Sequence, residues 1–269
     1  MAQSAGTGSW TVPEPVGPPE FLPVLDVPAH GRQRRWTVLL RWLILIPHYI
    51  VLWVLGIGAF FAVVVGWFAA LFLGRLPAPI ARYLIGFVGY DTRLMVSQAL
   101  LVDQYPPFSL RQPRDYPVRI ELRPGRLNRL AVFFRLLLMI PAAIISGLAA
   151  AGWAVLAVFL WLWTLVTARL PRPAFEATAA MVRYRMRFTA YALMLTSAYP
   201  KGLFGEERGN EPRESATRPL VLSGAGKGLL VAYLVLGLAV DAGGSVGGSY
   251  HNTTDDGTVS TAPAVHARA

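Results

Sequence analysis

The sequence predicts an all-α integral membrane protein of two tandem repeats. Each repeat is expected to hold a transmembrane helical hairpin, an interfacial amphipathic helix and a short cytoplasmic strand, and a fifth span is expected near the C-terminus. Three observations lead there. Of the 269 residues 54% are hydrophobic and only 15% charged, whereas soluble domains sit near a quarter charged. The apolar residues gather in two runs, 38–73 and 132–167, each with a single charge, Arg41 and Arg135. As helices these runs measure about 54 Å at 1.5 Å per residue, nearly twice the roughly 30 Å hydrocarbon core. Finally, the chain matches itself without a gap when residue 41 is laid on residue 135.

That self-match defines the domains. Pro23-Val24 meets Pro117-Val118, Gly31-Arg32 meets Gly125-Arg126, and Arg35 meets Arg129. Arg41 and Ile46-Pro47 meet Arg135 and Ile140-Pro141; Trp67 meets Trp161; Arg75-Leu76-Pro77 meets Arg169-Leu170-Pro171; Tyr90 and Arg93 meet Tyr184 and Arg187. Copy one covers 21–110, with its hairpin at 38–73, and copy two covers 115–204, with its hairpin at 132–167. Residues 1–20, rich in Pro, Gly and Ser, read as a disordered tail with no signal-peptide core. Residues 205–219 read as a charged linker, 220–240 as a further transmembrane helix, and 241–269 as a disordered C-terminal tail.

Within each copy the elements follow in order. In 116–122 the residues Tyr116, Val118, Ile120 and Leu122 alternate with Pro117, Arg119 and Glu121, which is strand periodicity; "LPVLDV" at 22–27 is the less regular counterpart. A basic lead-in follows, then the apolar run. Arginines flank each run on both sides, and two crossings keep both sets on the cytoplasmic face. Gly56–Gly58 and Ala149–Gly152 offer the turn of a hairpin; one tilted helix preceded by an interfacial helix ending at Pro47 or Pro141 is the alternative. Arg41 and Arg135 lie one turn inside, where a long stem can lie on apolar surface while the guanidinium reaches phosphate.

The mixed segment 175–195 carries Arg183, Arg185 and Arg187 at mid-length, too costly for a span. It is expected to lie in the interface with snorkelling arginines. Copy one keeps Arg93 there but has Asp91 in place of Arg185. The candidate lipid-headgroup contacts are therefore Arg41, Arg135, Arg93, Arg183, Arg185 and Arg187.

"LLRWLILIPHYIVL", "FFRLLLMIP", "GRLP" and "DQYPPFSL" together resemble the membrane-protein family built on domain of unknown function 4389, abundant in actinobacteria and often found in tandem. Copy two departs at Ala142-Ala143, where copy one has His48-Tyr49. The resemblance implies a helical, multi-spanning fold and supplies no catalytic residue.

Function is far less legible. Cysteine is absent, which excludes disulfides and thiolate chemistry. No metal-ligand spacing is present, no cofactor is implied, and "GAGKG" at 224–228 lacks the phosphate-loop spacing. His48-Tyr49 is expected to be an ordinary pair of interfacial residues, and Asp91, Asp103, Asp115 and Glu121 to be solvated loop charge, with a cluster on the cytoplasmic face as the alternative. No enzyme is expected, and the net charge of +10 is read as topology rather than nucleic-acid binding. The expected function is a membrane interaction or scaffold protein in the plasma membrane, N-terminus cytoplasmic and C-terminus outside. Its partners would be the bilayer, an anionic phospholipid and an unidentified membrane protein. A small-solute transporter or channel component is the alternative, and a membrane-embedded enzyme the second.

Overall fold

The computed structural model describes residues 21–29, 31–206 and 215–251, the last eight by backbone alone. Two strands and seven helices follow in order: β1 (Val24–Asp26), α1 (Arg35–Leu73), α2 (Ala78–Gln98), β2 (Arg119–Glu121), α3 (Arg129–Phe133), α4 (Arg135–Leu138), α5 (Ile140–Thr167), α6 (Arg172–Ala192) and α7 (Gly224–His251). Among the described residues, three stretches are long and apolar enough to cross a membrane: Arg35–Leu73, Arg135–Thr167 and Gly224–Gly243, with mean hydropathies of 2.4, 2.2 and 1.6.

Each apolar run stays helical through its expected turn, which corrects the hairpins placed at 38–73 and 132–167. Helix α1 has 39 residues and carries Pro47 inside it. The reversal falls later, at "GRLP" and "ARLP", so the hairpin is α1 against α2 and α5 against α6. Gly74 (φ 67°) and its counterpart Ala168 (φ 56°) take the left-handed conformation that ends a helix. Pro79 and Pro173 then sit in the first turn of the next helix, where no donor is lost. The Tyr83 hydroxyl donates to the Leu55 carbonyl (2.7 Å), fixing α2 antiparallel on α1.

The glycines expected to turn the chain instead admit neighbours. A Cβ on Gly58 would meet the Tyr83 hydroxyl; one on Gly152 would run into the Tyr233 backbone. Gly237 meets Leu148 in the same way, so α5 and α7 approach backbone to backbone. Ser223 caps α7 by accepting from Gly226 N–H (3.1 Å), and Glu176 on α6 accepts from Ser223 N–H (2.8 Å). Helix α7 starts at Gly224 and continues to His251, so the tail expected from 241 begins in helix. The expected tails 1–20 and 252–269 lie outside the described residues.

The two copies are related by a pseudo-twofold axis, and the contacts come in reciprocal pairs. Trp67 Nε1 donates to the Val132 carbonyl (3.1 Å), and Trp161 Nε1 donates to the Val38 carbonyl (2.8 Å). Leu127 N–H donates to Gly74 and Gln33 N–H to Ala168, both at 2.9 Å. Strands β1 and β2 pair antiparallel, Leu25 with Ile120 and Asp26 with Arg119. The copy-to-copy relation exchanges these two rungs, so the axis runs through the sheet, as in an isologous dimer fused into one chain.

Three layers stack along this axis. Helices α1 and α5 run antiparallel at one end, α2 and α6 lie in the middle, and the sheet sits at the other. Each outer helix packs on its own inner helix, α2 packs on α6, and β1 packs on α6. The core is continuous through the inner layers, from Leu84 and Val88 through Ala177 and Ala180 to Leu25 and Val118. Helix α1 buries one stripe, including Val38, Arg41, Leu45 and His48. Around the rest of it Trp53, Phe60, Phe61, Phe68 and Phe72 stand exposed.

Candidate functional site

The arginines singled out by sequence are mostly structural. Arg41, Arg93, Arg135, Arg183 and Arg187 are only 1–5% exposed. Arg185 alone is half-buried. The headgroup contacts expected of Arg93, Arg135, Arg183 and Arg187 are corrected accordingly: their hydrogen bonds go inward, as do those of Arg41, which also lines a pocket.

Arg41 and Arg135 do the same job in the two copies. After α2 the chain turns through Leu100 (φ 59°), and after α6 through Met194 (φ 60°), the equivalent position. Arg41 Nη1 donates to the Val102 carbonyl (2.6 Å) and to the Ser97 carbonyl (2.7 Å). Arg135 Nη2 donates to the Thr196 carbonyl (2.6 Å). Each arginine thereby ties the long helix to the turn that ends its partner helix, supplying a donor where buried carbonyls need one.

Around that shared bond the copies diverge. Tyr191 in copy two stands where copy one has Ser97, and Arg135 lies 4.1 Å over the Tyr191 ring. In copy one the small serine leaves a pocket of about 480 Å³, lined by Arg34, Thr37, Arg41, Ser97, Asp103 and Gln104 with Ile44, Leu45 and Tyr105 as its apolar wall. Arg41 Nη2 lies 3.3 Å from Asp103 Oδ1, and the Thr37 hydroxyl donates to the same carboxylate.

Arg183 and Arg187 meet Glu206 at 3.0 and 2.9 Å. Arg187 also donates to the carbonyls of Pro23 (2.9 Å) and Lys201 (2.8 Å). Burial, together with the charge of Arg187, lowers the Arg183 guanidinium to about 10, against the pull of Glu206. Burial pushes the Glu206 carboxyl up, but Arg183 and the hydrogen bond from Arg187 outweigh it and hold the group below its ordinary range. Helix α6 is therefore a core helix, and the snorkelling arginines expected of it are corrected. Part of the expected linker is also fixed: Thr217 Oγ1 accepts from Val27 N–H at 2.8 Å.

Asp91 and Arg185, equivalent positions of the two copies, act on each other. Burial raises the Asp91 carboxyl, and the Arg185 charge opposes that rise. His48 is not the interfacial residue expected. It is fully buried, its Nδ1 2.6 Å from the Tyr90 hydroxyl and its ring stacked 3.8 Å from Phe108. Tyr49 donates to Gln98 Oε1 (2.6 Å). Three of the four carboxylates have charged neighbours of their own: Asp103 pairs with Arg41, Asp91 lies in the field of Arg185, and Glu121 pairs with Arg123 and Arg218.

Sequence reasoning missed Ser97, Thr37, Gln104, Arg34 and Glu206. The five polar residues around Arg41 differ between the copies, Arg34 for Asn128, Thr37 for Ala131, Ser97 for Tyr191, Asp103 for Ser197 and Gln104 for Ala198, but so do most aligned positions, and nothing in the sequence marked these out.

The fold thus defines a tandem-repeat, all-α protein of membrane type. The family model described as Domain of unknown function (DUF4389) matches twice, at residues 35–109 and 129–203. These segments make up more than half of the chain, which belongs to that family. No curated protein and no solved structure matches it.

Proposed function

We propose that the protein is a membrane-embedded interaction or scaffold module, not a catalyst, and that α1 and α5 lie flat in the cytoplasmic leaflet of the plasma membrane instead of crossing it. The carrying observation is the order of layers along the pseudo-twofold axis. Antiparallel α1 and α5 share one apolar length: 29 residues separate Val38 from Trp67, about 43 Å at 1.5 Å per residue. The sheet lies on the axis, over the middle of that length, with Arg119 and Arg123 exposed beside it. Crossing orientations put these charges and open loop backbone at mid-bilayer depth, which is strongly unfavourable. They also put arginines on both faces, because Arg32, Arg34, Arg35 and Arg169 cluster at one end of the pair and Arg75, Arg126 and Arg129 at the other. A flat orientation leaves every one of them on one side, as the positive-inside bias requires, and brings the exposed ones to anionic headgroups at about 1 kcal/mol each.

The chain has no native cysteine, so single cysteines replacing Gly31, Arg75, Arg114 and Gly125 test this directly. All four are expected to react with an impermeant maleimide in inside-out vesicles and none in intact cells. Labelling of positions 31 and 75 from opposite faces would overturn the flat orientation.

A further inference from the structure

We propose that the copy-one pocket at Arg41 binds the phosphate-bearing head of a single phospholipid, one whose headgroup also carries a hydrogen-bond donor such as a glycerol hydroxyl. The internal duplication supplies the argument. Both copies use their arginine to hold the same turn, at 2.6 Å in each. Copy two does so with the space filled by Tyr191. The fold therefore needs the arginine but not the cavity, and Ser97, Arg34, Thr37, Asp103 and Gln104 are surplus to what copy two uses, although Asp103 and Ser97 also bond Arg41 in copy one.

Those surplus residues form a coherent set. Arg34, exposed at the rim, and Arg41 in the wall supply two positive charges against the one negative charge of Asp103. Asp103 Oδ1 is taken by Arg41 and Thr37, whereas Oδ2 has no partner among the described residues, so it can accept from a ligand hydroxyl. Ile44 continues from the pocket wall onto the exposed apolar face of α1, which gives an acyl chain a surface to follow. The volume lies within the usual range for small-molecule sites. The lipid assignment rests on the flat orientation proposed above. There the pocket opens between α1, in the leaflet, and the 103–105 segment on the water side, which is headgroup level.

The test uses the delipidated full-length chain in mild detergent, titrated with dioctanoyl phosphatidylglycerol, dioctanoyl phosphatidylcholine and inorganic phosphate. The wild type is expected to bind one phosphatidylglycerol saturably, phosphatidylcholine at least fivefold more weakly, and phosphate alone not at all. Ser97→Tyr, which installs the copy-two residue, is expected to weaken phosphatidylglycerol binding at least tenfold. Arg34→Asn, a rim change that leaves the Arg41 bonds in place, should weaken it about fivefold and keeps the test decisive if the tyrosine disturbs folding. Unchanged affinity in both variants would overturn the pocket. Saturable binding of phosphate alone would overturn the lipid assignment in favour of a soluble phosphate compound. Because these titrations are done in detergent, they stand or fall separately from the cysteine labelling that tests orientation.

Discussion

Copy one and copy two share a backbone plan and differ in what their long helix meets. In copy one α1 is a single helix that absorbs Pro47 and keeps most of its circumference exposed. In copy two the same stretch is broken at Phe134 and Met139, Pro141 opens a fresh helix, and α5 is partly covered by α7. A proline inside a helix removes one backbone donor and crowds the preceding turn; copy two takes the break and copy one does not. Identical structural bonds in both copies mark what the fold requires. Among the many differences at equivalent positions are those that accompany α7 docking in copy two and the pocket in copy one.

The sharpest way to break the comparison is at the paired glycines. Gly152→Ala collides with the Tyr233 backbone, which cannot move without separating α5 from α7, so a loss of about 4 kcal/mol is expected. Gly58→Ala meets only the end of the Tyr83 side chain and should cost about 1 kcal/mol through the lost bond to Leu55. Thermal unfolding of the two variants in detergent measures the difference, and equal losses would refute the asymmetry.

Next in size is the axis position. Asp91→Arg would set two arginines against each other in a half-buried site, an expected loss of about 3 kcal/mol. The exchange Asp91→Arg with Arg185→Asp should recover most of it, because the pseudo-twofold axis makes the two positions near-equivalent. A double variant no better than the single one would show that the positions do not face each other.

Glu206→Gln leaves Arg183 and Arg187 without their shared carboxylate. The expected loss is about 2 kcal/mol, below the roughly 3–5 kcal/mol for a fully buried pair, because Glu206 is open to solvent on one side. The sign of the pH dependence follows from its depressed carboxyl. The stability it contributes is present above the ordinary carboxylate range and is lost as pH falls through the depressed value. Melting curves of wild type and Glu206→Gln should therefore converge in acid and separate near neutrality.

A slightly smaller effect than that of Glu206→Gln is expected of His48→Ala, which gives copy one the residue copy two carries at Ala142. About 2 kcal/mol is lost with the stacked ring and the Tyr90 hydrogen bond, offset in part because the Nε2 left without a partner is removed as well. Differential scanning fluorimetry should place it just below Glu206→Gln.

Much of the plan was legible in the sequence. The self-match located both copies and alternation in 116–122 located a strand, whereas Leu-Pro after Arg75 and Arg169, where the chain reverses, was not read as a turn. The turn was misplaced because Gly58 and Gly152 look alike whether a chain reverses or another helix presses against it. The arginines of α6 were misassigned because a helical wheel shows which residues share a face and not what covers that face. Glu206 and the Pro23 carbonyl, which occupy Arg187, lie 19 and 164 residues away in sequence. The reciprocal pairs had a readable trace, since Trp67 with Trp161 and Val38 with Val132 recur in both copies, but nothing in one strand of text says that they exchange partners.

The flat orientation is tested most directly by depth. Spin labels on single cysteines replacing Leu43, Ile50, Val54, Phe61, Val65 and Phe72 along exposed α1 report distance from the bilayer surface through oxygen and nickel-chelate accessibility. One constant depth within a single leaflet, from position 43 to position 72, is the predicted result. A profile that deepens to the bilayer centre and rises again toward the opposite surface would contradict it.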